Sequence, residues 1–410
     1  MNEHVVAYPK ESVLAAVSQF ATPFFLYDEA RLRENCRNFR EGFRKYFPDF
    51  APLYAVKANS NPTILKIIIS EGFGLDCSSK SEAWIAHELK APGMYTGNYT
   101  PPEELAFAKE MGLTLNLDDL SMIGFLPNIG VPDLLSFRIN PGTAKSGPKS
   151  DILAGPDAKY GIPFERAIEA YVAAQKIGVK KFGIHMMTGF NILDEDYFAT
   201  TVHALLEIIA RVKKEIGIEI TFLNMGGGFG VPYRPEEKSL NIEKIAASVR
   251  DVFNADCQRL DIKEPKLIAE PGRYIAADMG FLVSKVQVIK DGYKKFVGID
   301  AAANDMPRPS IYDAYHHISV VTDASLDQEI VSIVGGICEN NDQFAKDRLL
   351  PRCEIGDIVV IHNCGGHAYS MGHNYNGLPR HAEHLISPNG SLRTIREAEK
   401  IEDLYRTTNI

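Results

Sequence analysis

Between residues 24 and 270, short apolar runs alternate with amphipathic stretches, and that order predicts the architecture. Runs 24–27, 53–56, 74–77, 94–97, 113–117, 134–139, 182–185, 220–225 and 266–269 read as strands, being apolar, short and bounded by turn formers. Helical patterns lie between most of them. In 196–217, for example, Phe198, Val202, Leu205, Ile209 and Val212 recur at spacings of 4, 3, 4 and 3. Repeated βα units predict a parallel sheet buried on both faces. About eight units over about 250 residues is the size of a (β/α)8 TIM-type barrel, with an open doubly wound sheet as the competitor.

After Arg273 the rhythm changes. Runs 282–289, 295–299, 318–321, 329–334, 357–362 and 382–386 read as strands, and long helical patterns are scarce until Leu392 onward. This predicts a second, antiparallel β domain. The expected organisation is a barrel over 24–272 and a C-terminal β domain over 273–410, joined by residues 1–23.

Composition narrows the class. With 45% hydrophobic and 24% charged residues among 410, the chain has the make-up of a globular protein large enough for two domains. Forty-four basic against fifty-three acidic side chains give a formal charge of -9, which argues against nucleic acid or an anionic membrane as partner. Six cysteines form no CxxC pair and no zinc-like cluster, so neither a disulfide framework nor a metal site is signalled and a reducing compartment fits. Segment 1–10 has no apolar core of signal-peptide length, and no run of about 18 apolar residues occurs, so the expectation is a cytoplasmic protein.

Four motifs carry candidate chemistry. In Pro52-Leu53-Tyr54-Ala55-Val56-Lys57-Ala58-Asn59-Ser60-Asn61-Pro62, an ammonium group follows a strand-forming run and precedes turn formers. Desolvation in such an apolar wall would favour the neutral amine, the form that condenses with an aldehyde. Taken alone, Lys57 reads first as a surface lysine at a strand end. Gly226-Gly227-Gly228, followed by Phe229-Gly230, offers backbone N–H groups to an anion, although it matches neither the GxGxxG fingerprint nor a P-loop and by itself is a turn. Glu270-Pro271-Gly272-Arg273 sets a carboxylate and a guanidinium at a strand end; the first could hold a pyridine nitrogen protonated and the second could grip phosphate or carboxylate. An ordinary salt bridge is the alternative. Cys338-Glu339 lies in a polar loop where a thiol beside an acid suggests a proton donor, or else an inert small hydrophobe. Arg308, Tyr312 and the polar stretch from Gly365 to Asn376, with His367 and Tyr375, complete the inventory.

Together these motifs, in this order, resemble the alanine-racemase-like, fold-type III decarboxylases that use pyridoxal 5'-phosphate (PLP), and the resemblance covers nearly the whole chain. The closest likeness is to the diaminopimelate decarboxylases, through Tyr54-Ala55-Val56-Lys57-Ala58-Asn59, Arg308-Pro309-Ser310-Ile311-Tyr312, Cys338-Glu339, Ser370-Met371 and Asn374-Tyr375-Asn376. That resemblance implies decarboxylation of meso-2,6-diaminopimelate to L-lysine in a homodimer with shared active sites. It implies that Lys57 carries PLP, that Gly226, Gly227, Gly228, Gly272 and Arg273 surround its phosphate, and that Glu270 meets the pyridine nitrogen. Cys338 would enter from the partner subunit as proton donor. Glu339, Arg308 and Tyr312, with Arg273, would recognise substrate, and Tyr375 would line the wall. Another basic amino acid (ornithine, lysine, arginine or a carboxynorspermidine type) is the alternative substrate, and a non-catalytic PLP carrier or decarboxylase-like regulator the alternative class.

Three positions depart from the family pattern. Where many relatives have His-x-Gly-Ser, with histidine under the PLP ring and serine on its phosphate, this chain has Met187-Thr188-Gly189-Phe190. His185, two residues earlier, is not the stacking histidine by position. A thioether can pack on a ring, whereas Phe190 has no hydroxyl to donate. His367 stands where many relatives carry tyrosine.

Overall fold

The computed structural model describes residues 8–142, 153–321 and 327–409; the reading of segment 1–10 rests largely on residues outside them. The chain forms two compact units, one of residues 35–231 and 239–275, the other of 1–34, 232–238 and 276–410.

In the first unit, the strands Ala51–Ala55, Gly74–Cys77, Gly93–Tyr95, Thr114–Leu117, Leu134–Asn140, Lys181–His185, Ile220–Asn224 and Lys266–Ala269 pair in parallel, each with the next. The eighth returns to the first through Ile268↔Ala51 and Ala269↔Pro52, closing the barrel. Leu53, Met94, Phe222 and Ile268 fill its interior, with Ala51 and Leu134 against them. Helices alternate with the strands. Asp196–Ile216 buries Phe198, Val202, Leu205, Ile209 and Val212 as their spacing predicts, and stops at Gly217, whose φ of 69° gives the left-handed cap. Pro62–Ser70 begins with proline at its first turn and the Asn61 side chain accepting from the Thr63 N–H at 2.9 Å.

The second unit is a nine-stranded mixed sheet. Its long strand Gly280–Asp291 pairs antiparallel with Phe24–Asp28, Lys295–Ile299 and Ile358–Ile361. Two pairings are parallel, Phe24–Asp28 with Ala382–Ile386 and Lys295–Ile299 with Gln328–Val334, so the all-antiparallel expectation is corrected. Strand direction depends on connections longer than any local turn signal, and residue pattern does not encode it. Helix Lys10–Gln19 packs Val13 and Ala16 onto Phe24, Leu26, Phe281, Val283, Val360 and Ile386.

Other expectations change for identifiable reasons. Run 24–27, expected as the first barrel strand, pairs in the mixed sheet; a strand followed by a helix has the same pattern in either sheet, and only pairing partners distinguish them. The barrel therefore starts at Ala51. Gln343–Pro351 is a strand that the sequence concealed, because Lys346, Asp347 and Arg348 interrupt its apolar face. Leu392–Arg396 is a strand hydrogen-bonded to Ala382–Ile386, and only Ile401–Tyr405 beyond it is helical. Among the described residues no helix is long and apolar enough to cross a membrane, and no His, Cys, Asp and Glu cluster has the form of a metal site.

Candidate active site

Parallel strands all point one way, so their C-terminal ends collect at a single rim of the barrel, where side chains from separate strands converge. The first strand ends at Ala55 and continues as one 3-10 turn, Val56–Ala58. Val56 and Ala58 point into the core, and Lys57 between them is exposed. The desolvated lysine expected from the apolar run is thus corrected: alternation within the turn puts the ammonium outward. Asn59 accepts from the Asn61 N–H at 3.0 Å, stopping the chain before the next helix begins.

Glu270 follows the eighth strand and is 5% exposed. Its Oε1 accepts from Asn224 Nδ2 at 2.6 Å and its Oε2 lies 3.1 Å from His185 Nε2. Burial pushes this carboxyl up, but His185, Lys57 and the Asn224 amide together pull harder, and the net direction is down. Asp76, on the second strand, shows the opposite outcome. Burial and the neighbouring Glu270 charge push its carboxyl well above the usual carboxylate range, against the pull of Lys57 and a Thr96 hydrogen bond. Asp76 Oδ1 and His185 Nδ1 are buried without a hydrogen-bond partner among the described residues. One rim therefore holds a carboxylate shifted down, a carboxyl shifted up and an exposed amine within electrostatic reach of each other.

The glycine turn after the seventh strand admits no other residue type. A Cβ on Gly226 (φ 70°) would sit 2.3 Å from the Met186 carbonyl oxygen, one on Gly227 2.6 Å from that of Glu270, and one on Gly228 (φ 94°) 2.9 Å from that of Gly189. At Gly272 a Cβ would meet Ala55 and Ala58 at 3.1 and 3.2 Å, beside the Lys57 turn. Met187 lies against this turn, its Sδ accepting from the Gly227 N–H at 3.2 Å. The Arg273 guanidinium lies 5.9 Å from the centre of the Phe190 ring, so Phe190 gives that arginine a π face in place of a hydroxyl. Lys57, Gly226, Gly227, Gly228, Glu270, Gly272 and Arg273 all belong to this unit.

Arg308, Tyr312, Cys338, Glu339 and Tyr375 belong to the other unit. Glu339 and Tyr375 line one pocket of about 550 Å³, together with Pro307, Ser310, Ile311 and Ile337. Cys338, exposed, lies between two lining residues, and its N–H donates to Asn376 Oδ1 at 2.8 Å. Arg308 is buried; its Nη1 donates to Tyr233 Oη at 2.9 Å and to His316 Nε2 at 2.7 Å. His316 Nδ1 lies 2.7 Å from the His362 carbonyl oxygen, which makes Nδ1 the protonated nitrogen and leaves Nε2 as the acceptor. No carboxylate pairs with Arg308 among the described residues. Tyr312 shares its short helix, Arg308–Tyr312, and is half-buried, while His367 adopts a positive φ of 57°.

Sequence reading missed Asp76, Asn224 and the pairing of His185 with Glu270. A lone acid inside the four-residue buried strand Gly74–Cys77 was the available signal for Asp76, since an unpaired carboxyl is costly there.

Residues 29–277 match the family described as pyridoxal-dependent decarboxylase, pyridoxal binding domain. The chain belongs to the pyridoxal-dependent decarboxylases. Among decarboxylases of this family, it is 37% identical over 400 residues to the diaminopimelate decarboxylase of Methanothermobacter thermautotrophicus, covering 96% of this chain and 92% of that one. It is 36% identical over 389 residues to Protein TabA of Pseudomonas amygdali pv. tabaci, covering 94% and 90%. The crystal structure of diaminopimelate decarboxylase from M. jannaschii in co-complex with L-lysine superposes with a TM-score of 0.89 at 30% identity, covering 97% of this chain and 94% of that one. The decarboxylase rim fits PLP: an exposed primary amine for its aldehyde, an ionised buried carboxylate for its ring nitrogen, and a turn that only glycine can form for its phosphate.

Proposed function

We propose that this decarboxylase removes CO2 from the D-centre of meso-2,6-diaminopimelate and releases L-lysine. The observation that carries the substrate is Arg308, a buried guanidinium that uses only Nη1 toward Tyr233 and His316 and pairs with no carboxylate among the described residues. Its remaining N–H groups suit a carboxylate in bidentate fashion, and a distal carboxylate is what diaminopimelate has and ornithine, lysine and arginine lack.

When bound, PLP supplies the electron sink for the pair left by the departing carboxylate. Lys57 would carry the cofactor, with Gly226, Gly227, Gly228, Gly272 and Arg273 around its phosphate. Glu270, held ionised by His185 and Asn224, would keep the ring nitrogen protonated. Cys338 would hold a thiol proton for the reacting carbon, and Glu339, Tyr312 and Tyr375 would orient the distal amino-acid end. The compartment this reading assigns is the cytoplasm, where free thiols such as these six persist.

The test is a substrate panel. CO2 release should favour meso-diaminopimelate over ornithine, lysine and arginine, and a better turnover of any of these three by the unmodified enzyme would sink the assignment. Arg308→Ala removes a charge-assisted contact worth about 1.5 to 3 kcal/mol, so kcat/KM for meso-diaminopimelate should fall roughly ten- to hundred-fold with PLP still bound.

The working form on this reading is a homodimer in which Cys338 of one subunit serves the Lys57 site of the other. Lys57→Ala and Cys338→Ala chains should each be nearly inactive. After random remixing about half the dimers are mixed and each rebuilds one of two sites, so about a quarter of full activity should return. Proven subunit exchange without that recovery would put both residues in one chain's site.

A further inference from the structure

We propose that Asn376 is a positioning residue that sets where the Cys338 thiol stands relative to the Glu339–Tyr375 pocket. The inference rests on the reading of Cys338 as proton donor and adds the residue that aims it.

Two loops 38 residues apart both line that pocket, one contributing Ile337 and Glu339, the other His373 and Tyr375. Each is anchored separately. Asp342, 3% exposed, accepts from the Ala303 N–H at 2.7 Å and the Ile337 N–H at 3.1 Å, fixing the base of the first loop. Asn304, 4% exposed, donates through Nδ2 to the carbonyls of His373 at 3.1 Å and Tyr375 at 2.7 Å, fixing the base of the second. The tips are joined by the hydrogen bond from the Cys338 N–H to Asn376 Oδ1 at 2.8 Å. Its donor is a backbone N–H, which can only donate, so the amide oxygen of Asn376 is the atom facing it.

The backbone of Asn376 supports the same conclusion. It stands at φ 58° and ψ 14°, a left-handed conformation that costs most side chains about 1 to 2 kcal/mol and that asparagine tolerates better than others. This conformation directs the Asn376 side chain to the Cys338 loop while its neighbour Tyr375 lines the pocket. A donor thiol must meet one carbon on one face, passing its proton and taking another from water, and a shift of about 1 Å in such a group costs up to about a hundredfold in rate.

Asn376→Gly keeps the left-handed backbone and deletes the acceptor, whereas Asn376→Asp keeps an acceptor oxygen in place. With the holoenzyme and its preferred diamino acid, Asn376→Gly should lower kcat about tenfold with KM within about twofold, and Asn376→Asp should recover kcat to within about threefold of the unmodified enzyme. Iodoacetamide should alkylate Cys338 at least about threefold faster in Asn376→Gly than in Asn376→Asp, because the loop has lost its tie. A Cys338→Ala enzyme is measured in parallel. If that enzyme is crippled while Asn376→Gly has unchanged kcat, or loses only KM, the positioning role is overturned. If Cys338→Ala keeps full kcat, the proton-donor reading falls, and the alkylation rates still decide whether Asn376 holds the loop: equal rates in the two variants reject it.

Discussion

Lys57→Ala should abolish decarboxylation, with a loss of at least about a thousandfold in kcat, and should remove the visible absorbance of bound PLP. The expectation follows from the rim itself. Lys57 is an exposed amine on a one-turn 3-10 segment between two buried residues, within electrostatic reach of Asp76, Glu82 and Glu270. Lys57→Arg should do no better, because a guanidinium keeps the charge but not a nucleophilic amine. Borohydride reduction followed by peptide mass mapping checks the site: the cofactor should be fixed on the peptide that contains Lys57. An adduct on any other lysine would show that the rim has been misassigned.

Glu270→Gln is expected to leave PLP bound and reduce kcat by about a hundred- to a thousandfold, the scale seen when one preorganised electrostatic group is removed from a reacting centre. Glutamine fills the same space and can still meet Asn224 and His185, so the loss is of charge and not of shape. Asp76 gives the contrast. Burial and the Glu270 charge push its carboxyl well above the usual carboxylate range, which favours the neutral acid, so Asp76→Asn keeps the favoured charge and shape and should cost no more than about fivefold. Steady-state kinetics with cofactor occupancy followed by absorbance distinguishes the two. A Glu270→Gln enzyme within tenfold of the unmodified one, or an Asp76→Asn enzyme as damaged as Glu270→Gln, would reverse the division of roles between the two acids.

Local pattern determined a good part of this protein. Eight of the nine runs proposed between residues 24 and 270 are barrel strands, because a strand buried on both faces must be apolar throughout and bounded by turn formers. Lys57, the glycine turn and Glu270 were legible for a related reason: each breaks the apolar or side-chain pattern at a strand end, and in a parallel barrel those ends share one rim. Tertiary structure decided what depends on partners. Whether Phe24–Asp28 enters the barrel or the mixed sheet is fixed by its pairing with Gly280–Asp291 and Ala382–Ile386, more than 250 residues away. The strand Gln343–Pro351 exists because Gln328–Val334 lies beside it, despite the charges that break its own pattern. The opposite shifts of Asp76 and Glu270 were decided in the same way. Both are buried acids, and only the folded rim gives Glu270 its histidine and amide while leaving Asp76 beside a charge of its own sign.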